Sequence, residues 1–347
     1  MSLPPQSQED FPSDPTGSGP VGPGSGRPGD QFVFEAELAR TGPPQPQRLV
    51  RRRRRRGLPL VLFFLTCFST FLAGSCHWLP TEFVPTPGRD LMPLRGTLIS
   101  NWDTGLIYMS CVLAILLTHE MGHFIATVIH RIPASYPYFL PLPISPIGTL
   151  GAVIGMDGLR ANRREMFDIG IAGPLAGLVV AVPILWVGVN QLDFTGPRFG
   201  IYQLDVPMSV RLLLDWMRPQ GYTSGQVIWQ GQLNPYFMAG WVGLLITGLN
   251  MMPVSQLDGG HVTYTLFGKR AHWIARAFML LAVVWVIYSG THGFFVMILL
   301  IMFVGTDHPP TRDDSIPLGW FRTSLGLASL SIPVLCFAPR VIMVQSG

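Results

Sequence analysis

From Leu58 onward the chain is a succession of apolar runs, most of them long enough for a helix to cross a bilayer, separated by polar or broken connections. The first run, Leu58 to about Trp78 (LPLVLFFLTCFSTFLAGSCHW), matches the roughly 20 helical residues that a hydrocarbon core demands. Further candidate spans follow at about 104–130, 166–190, 235–255, 272–289, 292–306 and 319–343. The link between 272–289 and 292–306 is very short, as in a tight hairpin, and the last run holds Pro333 and Pro339, which leave its shape open. The predicted class is an all-α polytopic membrane protein of about six or seven transmembrane helices.

One apolar stretch breaks this pattern. Residues 132–157 carry Pro133, Pro137, Pro141, Pro143 and Pro146 and then turn rich in Gly. A helix interior tolerates proline poorly, so the segment reads as irregular or re-entrant, ending in a β-like stretch from Thr149 to Met156. Non-helical backbone at membrane depth survives only against protein or a water-filled cavity, so this segment marks a cavity. Between the third and fourth spans, Val210 to Met217 (VRLLLDWM) is short enough for an interfacial helical turn or two.

Charge supports the membrane reading and gives it a direction. Only 13% of the 347 residues are charged and 48% are hydrophobic; beyond residue 56 there are 29 charges over 291 positions. A soluble domain carries roughly 25%, so this chain cannot clothe itself in a hydrated surface, which argues against an ordinary cytosolic enzyme. Six of the positive charges form one block, Arg51 to Arg56, immediately before the first span. The block reads as a topology signal that keeps the N-terminus inside, with lipid headgroups as its contact and no nucleic-acid partner. Alternating the spans from there makes 131–165, 256–271 and 307–318 cytoplasmic loops. Residues 1–50 contain ten Pro and seven Gly, so 1–56 is expected to be a disordered cytoplasmic tail. Cys67, Cys76, Cys111 and Cys336 show no CxxC pairing and read as small hydrophobes in or beside membrane helices.

The second span contains His119-Glu120-Met121-Gly122-His123. Four residues apart on a helix, His119 and His123 project from one face and can hold one zinc ion, and Glu120 lies beside that face as a general base toward water. For eight His and six Glu in 347 residues, chance supplies about 0.003 such HExxH motifs per chain. Two imidazoles do not complete a zinc site; Asp258, in Asn250-Met-Met-Pro-Val-Ser-Gln-Leu-Asp258-Gly259-Gly260-His261, is the expected third ligand. Both motifs fall near the cytoplasmic ends of their helices and can meet. His261 is the rival ligand or a structural polar group. Asn250 reads either as a donor to a substrate carbonyl or as a helix–helix hydrogen bond. Asp168-Ile-Gly-Ile-Ala-Gly173-Pro-Leu-Ala-Gly177 contains GxxxG, which allows close helix approach.

With HEMGH, GTLGAV, DIGIAGPLAG and NMMPVSQLDGG in that order, the chain resembles the site-2 protease family of intramembrane zinc metalloproteases, in particular the branch that includes plant chloroplast and cyanobacterial members. The resemblance covers roughly 104–275, the core of an expected integral membrane peptidase domain over 57–347. It implies zinc held by His119, His123 and Asp258, Glu120 as general base, and an extended substrate on the stretch beginning Gly148, Thr149, Leu150, Gly151. It implies transmembrane-helix proteins as substrates and a multi-pass location, expected in a bacterial inner (plasma) membrane. Residues 191–234 are too short for a PDZ-like insertion. A catalytically silent scaffold, which would be indifferent to Glu120→Gln, and a metal transporter, which zinc uptake into proteoliposomes would reveal, are the competing readings.

Overall fold

The computed structural model describes residues 57–79, 92–196, 198–254, 256–289, 308–337 and 342–344. The expected tail over 1–56 and the run at 292–306 lie outside the described residues. In chain order the elements are α1 (Gly57–Ser75), α2 (Met92–Ser100), α3 (Trp102–Ile129), β1 (Tyr138–Leu142), β2 (Gly148–Val153), α4 (Arg163–Asn190), β3 (Tyr202–Leu204), α5 (Met208–Met217), β4 (Ile228–Trp229), α6 (Pro235–Asn250), α7 (Asp258–Phe267), α8 (Ala271–Ser289), α9 (Trp320–Ser329), α10 (Ile332–Cys336) and β5 (Ile342–Val344).

The chain is a membrane protein. Among the described residues four helices are long and apolar enough to span a bilayer: Gly57–Ser75, Trp102–Ile129, Arg163–Asn190 and the stretch Asp258–Tyr288. Their outward side chains are apolar; Phe64, Ile125, Val179 and Ile287 are all exposed. Helix ends follow local chemistry. Asn162 caps α4 by accepting from Arg164 N and Glu165 N, and the Glu165 carboxylate accepts from Asn162 N in return. The chain leaves α3 through Arg131 in the left-handed region (φ 58°), with Ile132 N bonded to Thr127 O and Pro133 following. Asn234 caps α6, whose first residue is Pro235.

Three expectations are corrected. The run at 235–255 does not continue as helix to 255: α6 stops at Asn250, and 251–257 turn the chain so that Asp258 opens α7. Pro253 cannot donate to a helical ladder, and a Cβ at Gly259 would overlap the Met251 carbonyl, so glycine lets the turn close. Consequently 256–271 is not a loop, for α7 occupies most of it with Gly259 to Thr265 buried. The run at 319–343 is not one span; it divides into α9, α10 and β5, with Pro333 at the start of α10. The proline-rich segment is more regular than expected. It forms a hairpin in which Tyr138 pairs with Val153, Phe139 with Ala152, Pro141 with Thr149 and Leu142 with Gly148. The register shifts between Phe139 and Pro141, as a residue without an N–H requires.

At the far ends of α3, α4 and α6 from the histidine pair, β4, β3 and β5 form a small antiparallel sheet. The expected short helix at 210–217 is present as α5, with Val210 and Leu214 buried. All four cysteines are free thiols, two buried and two partly buried.

Candidate metal centre

The α3 helix carries His119, Glu120 and His123 into the protein interior, where all three are buried. The α3 and α4 helices approach closely beside them: a Cβ at Gly122 would crowd the Ala172 carbonyl and the Ala176 side chain. The same α4 face then receives the imidazoles. A Cβ at Gly173 would overlap the His123 ring, and one at Gly177 would lie 3.1 Å from His119 Nδ1. The GxxxG pair is therefore a packing motif, as the sequence suggested, but what it packs against is the pair of histidine side chains. That specific role was not visible in the sequence without knowing which face of α4 meets α3.

Asp258 reaches the pair from the first turn of α7. His119 Nε2 lies 3.2 Å from Asp258 Oδ2, and His123 Nε2 lies 3.2 Å from Asp258 Oδ1. The two Nε2 atoms are themselves 3.2 Å apart. Ligand atoms of these three residues, and of no other group of three or more His, Cys, Asp or Glu among the described residues, come together within 4.8 Å. His123 Nδ1 is 2.8 Å from the Ile169 carbonyl, which can only accept, so this nitrogen carries the proton and Nε2 presents a lone pair.

Those distances test whether a zinc ion fits. Tetrahedral coordination with bonds near 2.0–2.1 Å places neighbouring ligand atoms about 3.3 Å apart; the two imidazole nitrogens meet that spacing at 3.2 Å, and the Asp258 carboxylate turns one oxygen toward each of them at the same distance. Hydrogen bonding alone does not account for the arrangement. His119 Nε2 faces Asp258 Oδ2, His123 Nε2 and, at 3.3 Å, Asn250 Nδ2, and one ring nitrogen cannot satisfy all three. A cation shared by the two Nε2 lone pairs and the carboxylate would account for their approach, leaving the donor-only Asn250 amide outside the ligand set. The donor set, two imidazoles and one carboxylate, is of the kind that leaves zinc a fourth position open.

Around the triad is a cleft lined by Glu120, Thr127, Asn250, Gln256 and His261, with Ala152, Val153, Ile154 and Met156 along one wall. Residues Gly148, Thr149, Leu150 and Gly151 stand earlier on the same strand and are not part of this lining. The Gly148 carbonyl accepts from Ser69 Oγ of α1, Thr149 Oγ1 donates to the Leu140 carbonyl, and Leu150 points outward, 61% exposed. His261 is not in the ligand triad; its Nδ1 is 2.6 Å from His308 Nε2. Sequence reasoning missed His308, which no spacing rule connects to the motif. Burial of the His308 ring pushes its pKa below the usual histidine range.

Asp168, at the N-terminal end of the GxxxG segment, serves the scaffold. Its carboxylate accepts two hydrogen bonds from Arg322 of α9, at 2.7 and 2.9 Å, and lies 3.2 Å from His130 Nε2.

Residues 107–287 match the family described as Peptidase family M50. The chain is 30% identical over 304 residues to the "Probable zinc metalloprotease EGY1, chloroplastic" of Oryza sativa subsp. japonica, covering 81% of this chain and 50% of the relative. With the protein of the same name from Arabidopsis thaliana it shares 32% over 223 residues, 62% of this chain and 40% of the relative. With "Probable zinc metalloprotease EGY2, chloroplastic" of Arabidopsis thaliana it shares 25% over 264 residues, 72% and 46%. This chain thus spans half or less of the length of these relatives. Their names place those relatives in the chloroplast, which runs against the bacterial plasma membrane expected from the sequence.

Proposed function

Because the chain belongs to peptidase family M50, we propose that it is an intramembrane zinc metalloprotease that hydrolyses peptide bonds in or near transmembrane segments of other membrane proteins. The observation that carries this reading is the convergence of His119, His123 and Asp258 at 3.2 Å spacings beside a buried Glu120, on helices of membrane-spanning length and composition.

His119, His123 and Asp258 would hold the ion. Zinc, when bound, supplies a Lewis acid that lowers the pKa of water toward 7 and polarises a carbonyl. Glu120, next in sequence to a ligand and lining the same cleft, accepts the proton of the attacking water on its carboxylate and returns it to the amine nitrogen as the peptide bond breaks. Asn250, at the last turn of α6, directs its amide N–H groups into the cleft to meet negative charge developing on the scissile oxygen. His123 is held in one tautomer by Ile169, so its ring does not turn away during the cycle.

A helical substrate hides its peptide groups in its own hydrogen bonds and must unwind to be cut. Among the described residues β2 is paired on one side only, with β1, and its continuation through Ile154 walls the cleft. An unwound substrate strand adds to its other edge, replacing the lost hydrogen bonds with main-chain ones. The substrate-binding stretch accordingly runs from Gly148 and Thr149 through Leu150 and Gly151 to Met156, with 152–156 nearest the reacting bond. The α6 helix, 16 residues long and almost wholly buried, counts as a further span. With it the described residues hold five candidate spans, and the sequence offers one more apolar run at 292–306.

Glu120→Gln tests the proposal. Purified protein reconstituted with a single-span substrate should lose about 10²- to 10⁴-fold in kcat while retaining its zinc, the range expected for removing a general base. Undiminished cleavage would remove Glu120 from the chemistry, and no cleavage by the unsubstituted protein would favour a silent scaffold.

A further inference from the structure

Three histidines, not two, lie against the glycine face of α4, two by their rings and the third by its Cβ. Gly177 faces His119, Gly173 faces His123, and Gly170 faces His261, whose Cβ would stand 3.0 Å from a Cβ at that glycine. His261 also lines the cleft that holds the triad, yet it is not one of the converging ligands. Its hydrogen bonds explain what it is set up to do.

The chain of bonds begins at a carbonyl. His308 Nδ1 is 2.5 Å from Pro309 O, which can only accept, so His308 carries its proton on Nδ1. Burial keeps the ring neutral, and its Nε2 is then a lone pair. That lone pair faces His261 Nδ1 at 2.6 Å, so His261 must donate from Nδ1. A neutral His261 therefore presents an unprotonated Nε2, for which the described residues offer no hydrogen-bond partner. The second ring is held firmly in place. The Tyr264 ring stacks on His308 at 4.3 Å and 13°, Tyr264 OH donates to Asp314 Oδ2, Thr311 Oγ1 donates to Asp314 Oδ1, and His272 Nε2 lies 3.2 Å from the His308 carbonyl.

We propose that His261 Nε2 accepts a hydrogen bond from a backbone N–H of the peptide bound in the cleft, and that His308 is the positioning residue that fixes the tautomer required. This rests on the peptidase reading and adds a second contact to it: the bound strand lies between the β2 edge and an imidazole acceptor on α7. A strand whose reacting carbonyl faces His119, His123 and Asp258 is thereby gripped at an N–H as well, which fixes its direction across the cleft.

The test is nitrogen-15 magnetic resonance of histidine-labelled protein in lipid, with His308→Leu and His308→Gln. Glutamine can accept from His261 and donate to Pro309 as the imidazole does; leucine can do neither. In the unsubstituted protein and in His308→Gln, His261 Nε2 should give the signal of an unprotonated nitrogen. On the Glu120→Gln background that signal should shift when a synthetic single-span transmembrane peptide is added. His308→Leu should mix the tautomers and weaken binding of the same peptide about tenfold, with zinc content unchanged, and His308→Gln should restore it. A protonated His261 Nε2 in the unsubstituted protein, or equal peptide affinity in the Leu and Gln variants, overturns the proposal. Failure of the unsubstituted protein to cleave the same peptide would sink the peptidase reading instead, and the nitrogen spectrum decides the tautomer either way.

Discussion

At the level of single residues, the site depends as much on side chains that are absent as on those present. Gly173 and Gly177 leave the space that His123 and His119 fill, and the two positions are unequal: a Cβ at 173 overlaps the ring itself, whereas one at 177 is merely tight. Gly173→Ala should therefore lose most of the bound zinc, while Gly177→Ala should keep the larger part, as read by metal analysis of purified protein. Equal retention in both would mean that the ring shifts freely, contrary to the close packing described. The shared face of His119 and His123 was legible in the sequence because an α-helix puts residues four apart on one side whatever surrounds it. Asp258 was legible through topology, since both motifs had to lie near the same end of the molecule. The glycine seat was not, because helical spacing defines a face without saying what faces it. His308 was not legible at all, lying 47 residues from its partner, to which a hydrogen bond and an edge-on ring contact join it.

Among the elements, the β-like stretch expected from Thr149 is present as β2, and only its partner strand β1 was hidden by composition. Five prolines argued for irregular backbone, yet one of them, Pro141, sits inside β1 at the point where the register shifts. A strand tolerates proline at such an irregularity, where no ladder hydrogen bond is lost. If the free edge of β2 and its continuation receive the substrate, Ile154→Pro or Val153→Asp should lower kcat/KM for a transmembrane substrate about tenfold, the scale of one lost backbone bond, with zinc retained. Unchanged turnover would place the substrate elsewhere. A second element-scale feature is the latch between α9 and α4, in which Arg322 makes two hydrogen bonds to Asp168. The pair is partly exposed, so Arg322→Leu should cost about 1 kcal/mol, visible as a lower unfolding temperature in detergent, with the zinc content of the folded protein unaffected. The helix breaks at Asn250 and within the last apolar run were foreshadowed by Pro253 and Pro333, but proline alone does not reveal whether a helix kinks or stops.

Across the whole molecule, one contrast organises the rest: an apolar exterior of spanning helices around a small polar interior. Charge is scarce beyond residue 56, and yet His119, Glu120 and His123 are carried into the core by one helix and met there by Asp258 from another. Burying these groups is expensive unless a cation gathers them. That cost is the physical reason to expect an ion, and the distances are the reason to expect zinc. Overall class was readable from the long apolar runs, because bilayer thickness sets their length directly. How the chain turns between them depended on packing that no single run encodes. The most direct test is the zinc content of detergent-purified protein, measured in parallel for the unsubstituted chain, Glu120→Gln and Asp258→Ala. One zinc per chain in the first two and almost none in the third is the expected result. A metal-free unsubstituted protein, or full occupancy in Asp258→Ala, would contradict the account at its centre.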